Sequence, residues 1–69
     1  DGQLVFIDTL TRDFAVGDIV LIRTHDLGPH TIHRIVWISD TEVCTKGDEN
    51  DDPDVVRPRS RILGKAFAQ

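Results

Sequence analysis

Thr31-Ile32-His33-Arg34-Ile35-Val36-Trp37-Ile38-Ser39 is the longest strand candidate in the chain, and its reading decides the fold. Side chains alternate in direction along an extended backbone, so His33, Ile35 and Trp37 share one face while Ile32, Arg34, Val36 and Ile38 share the other. Both faces are largely apolar. Asp40 and Thr41 then supply a short turn, and Glu42 to Thr45 is expected to return as an antiparallel partner. Upstream, Thr24 to His30 contains Asp26, Gly28 and Pro29 and has the composition of a hairpin loop. The strand before it, Ile19 to Arg23, opens directly after the turn signal Gly17-Asp18. Further out, a first strand is predicted over Gln3 to Ile7, with Asp8 to Asp13 as a connection. A last strand is predicted over Ile62 to Phe67, with Gly64 as a point where it could break. No window of eleven or more residues carries an apolar stripe at helical spacing. The chain therefore reads as all-β, a small antiparallel sheet.

Its 69 residues allow a single domain or a fragment of one, and exclude two domains. Apolar residues make up 39%, and with five glycines added this is the composition of a globular chain. One cysteine cannot form an internal bridge, and Cys44 reads as a small apolar strand residue. Twelve acidic residues against eight basic ones give a net charge of −4, which argues against nucleic acid as a partner, because phosphate contacts rely on clustered Lys and Arg. The only basic run, Arg57 to Arg61, is interrupted by Pro58 and Ser60 and reads as a solvated loop. No apolar run exceeds four residues, whereas a bilayer span needs about 20.

Three local features could carry chemistry: Gly17-Asp18 opening a strand, His33-Arg34 within one, and Thr45-Lys46-Gly47-Asp48 leading into Glu49-Asn50-Asp51-Asp52-Pro53-Asp54. Taken singly they are a turn, a packed histidine and a solvated acidic loop. Their order is more telling. Asp1-Gly2 with Leu4-Val5, Gly17-Asp18-Ile19-Val20, His33-Arg34-Ile35-Val36, Thr45-Lys46-Gly47-Asp48-Glu49-Asn50 and Ile62-Leu63-Gly64-Lys65 follow one another along nearly the whole chain. In that order the chain resembles the signal-peptidase-like serine peptidase superfamily, which includes the repressor-type peptidases. Within it, bacterial-type signal peptidases place a lysine at the His33 position. The archaeal and endoplasmic-reticulum type uses histidine, and this chain is similar to that subgroup.

The resemblance implies a partly open β-barrel of the signal-peptidase and repressor-peptidase type, and acyl transfer in which a serine hydroxyl attacks a peptide carbonyl. His33 would be the base, since an imidazole with an ordinary pKa of about 6.5 takes and returns a proton near neutrality. The aspartate six residues beyond the turn aspartate falls on Asp54, which would orient the ring, while Asp48 would shape the loop in a supporting role. No cofactor or metal is implied. The substrate would be an extended peptide or preprotein with small residues at the cleavage site, added as a strand along a sheet edge. The parent protein would be membrane-anchored with this domain on the extracytoplasmic side, and soluble repressor-like relatives leave a cytoplasmic setting open. The chain departs from the family in one respect: the Gly-x-Ser-Met-x-Pro box that carries the nucleophile is absent and would align immediately before Asp1. Ser39 and Ser60 are the only serines, and neither has a matching context. A second alignment brings Thr9 to the serine position, with Leu10 and Arg12 in place of Met and Pro.

Three other readings compete. Asp48, Asn50, Asp52 and Asp54 alternate as the oxygen ligands of a calcium loop do, although Pro53 occupies the glycine position and Arg59 the glutamate position. His25, His30 and His33 would be the ligands of a zinc site, at irregular spacing. The third alternative is a noncatalytic β-module that binds a peptide or protein.

Overall fold

A computed structural model describes residues 5–48 and 51–68. It contains β1 (Val5–Asp8), β2 (Ile19–Ile22), β3 (Thr31–Ile38), β4 (Glu42–Lys46), β5 (Arg57–Pro58), one turn of 3₁₀-helix (Arg59–Arg61) and β6 (Ile62–Ala68). The strands form one antiparallel sheet in the order β1-β6-β2-β3-β4-β5, with β1 and β5 as its two edges. The sheet is not closed. Val20, Ile22, Ile35, Val43 and Ile62 are at most 2% exposed although the described residues hold no second sheet or α-helix to cover them, so the sheet curls around its own core. Among the described residues no helix is long and apolar enough to cross a membrane.

The all-β expectation holds, and the strands at 19–23, 31–39, 42–45 and 62–67 stand within a residue or two of where turn signals and apolar alternation put them. Of the predicted first strand, residues 3 and 4 lie outside the described residues, and the remainder runs on to Asp8. The core is Phe14, Val20, Ile22, Ile35, Val43 and Ile62, with Ile38 packed against it. Burying each such side chain contributes about 1.5–3 kcal/mol, and that term holds together a sheet with no disulfide.

Three expectations are corrected. Trp37 does not share the face of His33 and Ile35. The pairing of β3 with β4 steps from Ile35↔Thr45 to Trp37↔Cys44, so Val36 is an extra residue and the alternation changes phase there. Ile38 turns to the core and Trp37 is left 46% exposed. Gly64 does not break β6. The irregularity is a register shift beside it, with Leu21 opposite Gly64 and Ile22 opposite Ile62. A Cβ on Gly64 would stand 2.6 Å from the Asp8 carbonyl oxygen, so β1 can approach β6 this closely only over a glycine.

The third correction concerns Arg57 to Arg61, which is no solvated loop. Arg57 and Pro58 pair with Val43 and Glu42 as the edge strand β5, a place where the missing proline N–H costs no ladder bond. Arg59 N–H donates to the Thr41 carbonyl at 2.9 Å, and its guanidinium donates to the Ser39 and Arg12 carbonyls, each at 2.9 Å. The guanidinium carbons of Arg12 and Arg59 lie 5.1 and 5.6 Å from the centroid of the buried Phe14 ring. Arg12 also donates to the Ile62 carbonyl at 3.0 Å, so this cluster ties the 9–18 connection to β6 and to the β3–β4 turn.

Candidate active site

His33 on β3 sits directly opposite Val20 of β2, which in turn faces Lys65 of β6, and it precedes Ile35 by two residues on the core-facing side of β3. Its Nδ1 lies 2.6 Å from Asp54 Oδ2, twenty-one residues further along the chain, and each side chain retains only 18% of its exposure. The same Oδ2 accepts a hydrogen bond from Thr45 Oγ1 at 2.9 Å. Asp54 is tied to β4 through its backbone as well: its N–H donates to the Thr45 carbonyl at 2.7 Å, and Cys44 Sγ donates to its carbonyl at 3.1 Å.

This geometry has a chemical consequence. An ionised carboxylate only accepts, so a hydrogen shared with Asp54 must reside on Nδ1, and the neutral ring keeps its lone pair on Nε2. Nε2 has no hydrogen-bond partner among the described residues, and no side-chain N or O there is buried without one, so this nitrogen opens outward. An oriented imidazole with an available Nε2 can accept a proton from a hydroxyl brought beside it.

The other motif residues converge on the same strand. Arg34 faces Asp48 as a fork, with Nε at 3.2 Å from Oδ1 and Nη2 at 3.3 Å from Oδ2. Its Nη1 donates to the Gly17 carbonyl at 3.3 Å. Gly17 N–H donates to the Ile35 carbonyl at 2.8 Å, and Ile35 N–H to the Asp18 carbonyl at 2.9 Å, so the Gly17-Asp18 turn is stitched to β3. Gly17 adopts a φ of +97°, which favours glycine. Hydrogen bonding to Arg34, reinforced by its charge, holds the Asp48 carboxyl below its ordinary range. For Asp18, desolvation pushes upward, but the Ala15 N–H and Lys65, whose Nζ stands 3.1 Å from Oδ2, outweigh it and leave the carboxyl lowered.

His33, Asp54 and Asp48 thus gather around β3 and β4. The serines do not join them. The Ser39 hydroxyl is occupied in the β3–β4 turn, accepting from Glu42 N–H at 3.1 Å, and it lies six strand residues from His33, about 20 Å in an extended chain. Ser60 is exposed in the 3₁₀ turn, and Thr9 follows β1, a strand separated from β3 by β6 and β2. The metal readings find no support in the described residues, where no three His, Cys, Asp or Glu side chains gather to hold an ion. Asn50 of the calcium reading lies outside them. Asp48 and Asp54 face Arg34 and His33 rather than each other, and His25 and His30 are exposed in the hairpin loop.

Two participants escaped the sequence reading. Thr45 stood at the end of an expected strand and the start of a turn motif without a role, although alternation along β4 puts it on the inward face with Val43, where a polar side chain requires a partner. Arg34 stood in the motif beside His33 without a role, and its hub position depends on the distant Gly17 and Asp48. Compared with family models, with curated proteins and with solved structures, the chain matches none.

Proposed function

We propose that this chain is the base-bearing portion of a signal-peptidase-like serine peptidase, with the nucleophilic serine supplied by a segment outside it. His33 Nε2 takes the serine proton as the hydroxyl attacks the peptide carbonyl, and the imidazolium returns it to the departing amine, leaving an acyl-enzyme. The ring then activates water in the same way to release the acid. Asp54 keeps the hydrogen on Nδ1 and stabilises the imidazolium, while Asp48, through Arg34, steadies the loop that carries Asp54. The substrate is an extended peptide or preprotein, and the parent is membrane-associated with this domain on the extracytoplasmic side.

The observation that carries the reading is the 2.6 Å contact between His33 Nδ1 and Asp54 Oδ2, a pair chosen by motif order and separated by twenty-one residues. The test expresses the chain with the coding sequence that precedes Asp1 in its gene and treats it with a fluorophosphonate probe. A serine there should be acylated, and His33→Ala should abolish labelling while the fold persists. No labelled serine, or labelling undiminished in that variant, overturns the reading.

A noncatalytic peptide-binding module is the second reading, favoured by the outer edge of β1, which pairs with no strand among the described residues, and by the exposed Phe6 and Phe67 opposite each other on β1 and β6. Peptide capture that survives His33→Ala, with no labelled serine, is its signature.

A further inference from the structure

The inward face of β4 should be apolar, since Val43 is buried there and the cross-strand neighbour of Thr45 is the fully buried Ile35. Thr45 is nonetheless a hydroxyl residue, 1% exposed and the only buried polar or charged side chain among the described residues. A hydroxyl in such a place costs stability unless it is hydrogen-bonded. Its bond goes to Asp54 Oδ2, the oxygen that also faces His33 Nδ1.

We infer that Thr45 is a positioning residue of the candidate site: its hydroxyl clamps the Asp54 carboxylate in the orientation that holds the hydrogen on His33 Nδ1 and frees Nε2. The inference rests on the His33–Asp54 pair as the working pair of the proposed function. A carboxylate is acceptor-only, so Thr45 must donate, and two donors then converge on one oxygen. The donor itself cannot wander. Threonine is stiff at χ1, its backbone is held in the β3–β4 ladder, and its carbonyl accepts the Asp54 N–H at 2.7 Å. Residue 54 is therefore held to residue 45 at main chain and side chain together. Without the hydroxyl, the Asp54 side chain would keep one partner, the imidazole, and would be free to turn about its own bonds with it. Asp54 follows a loop and belongs to no strand, so the clamp is what transmits the rigidity of the sheet to the ring.

The experiment needs no nucleophile, so its outcome is separate from that of the peptidase reading: failed serine labelling leaves this result standing, and the reverse holds too. The chain is labelled with ¹⁵N-histidine, and NMR follows the His33 ring tautomer and the exchange rate of its Nδ1 proton. The unaltered chain should hold His33 in the Nδ1–H tautomer with a protected proton. Thr45→Val, nearly isosteric, should speed that exchange about tenfold, the effect of losing one hydrogen bond of ordinary strength, and mix the tautomers while the backbone amide spectrum persists. Thr45→Ser should retain the unaltered behaviour. Should Thr45→Val fail to fold, Thr45→Ala against Thr45→Ser decides, because that pair shares the missing methyl and differs only in the hydroxyl. Exchange within twofold of the unaltered chain in the folded Val variant, or equal in the Ala and Ser variants, overturns the inference.

Discussion

The loops at 24–30 and 47–54 are alike in composition: each carries glycine, proline and aspartate, and each follows a strand. Their structures diverge. In the first, residues 25–30 are all exposed, Leu27 at 89%, and among the described residues the one side-chain tie is Asp26 Oδ1 to Arg61 Nη2 at 2.8 Å, with the Asp26 side chain 87% exposed. In the second, Gly47 is buried, Asp48 is forked by Arg34, and Asp54 is bound through its N–H, its carbonyl and its carboxylate. A polar loop becomes part of the framework only where neighbouring strands present partners to its polar groups. β3 and β4 do so with His33, Arg34 and Thr45.

That contrast can be broken most severely at Asp54. Asp54→Ala removes the acceptor shared by the buried Thr45 hydroxyl and the half-buried imidazole, and an orphaned buried donor costs about 1–3 kcal/mol. Chemical denaturation should show a lower midpoint at unchanged slope. A shift no larger than that of a surface substitution would mean that the two loops are equivalent after all.

A smaller effect, and one that depends on pH, belongs to Asp48. Its carboxyl is held below the usual 3.8 in the folded chain, so the contribution of the Arg34 pair is fully present above that value and is lost as pH falls through the depressed one. Protection of the Asp54 N–H, which donates to the Thr45 carbonyl, should therefore decline in acid below about pH 4. Asp48→Asn should weaken this acid response. An identical decline in that variant would assign it to other carboxyls, of which Asp18, also lowered, is the foremost.

The least effect is expected from Asp26→Ala. An exposed ion pair contributes little, so the denaturation midpoint should correspond to a change within about 0.5 kcal/mol. A larger loss would show that the hairpin loop is anchored through Arg61 more firmly than its exposure implies.

Much of the sheet was legible because turn chemistry and apolar alternation are local. Gly17-Asp18, Asp40-Thr41 and the 24–30 loop punctuate the chain at the places where strands begin and end. The bulge at Val36 was not legible, since an extra residue looks like any other until its partner strand is known. Nor was the arrangement of Arg12, Phe14 and Arg59, where an arginine of the 8–13 connection and one of a run that reads as a solvated loop flank a core aromatic from positions forty-seven residues apart. The candidate site falls between these cases. His33, Asp48 and Asp54 were named from motif order, while the third member of the contact, Thr45, emerged only with its burial.

The amino-acid order by itself determined an antiparallel β-chain, the ends of most of its strands, and a short set of polar residues standing where apolar ones would serve as well. Those features depend on backbone geometry and on the sorting of side chains within a few residues. Only the tertiary structure decided which face Trp37 and Ile38 take, that Arg57 and Pro58 join the sheet, and that one carboxylate oxygen meets both an imidazole and a hydroxyl. Such outcomes depend on the distance between groups far apart in the chain, and that distance is set by how the sheet curls and pairs.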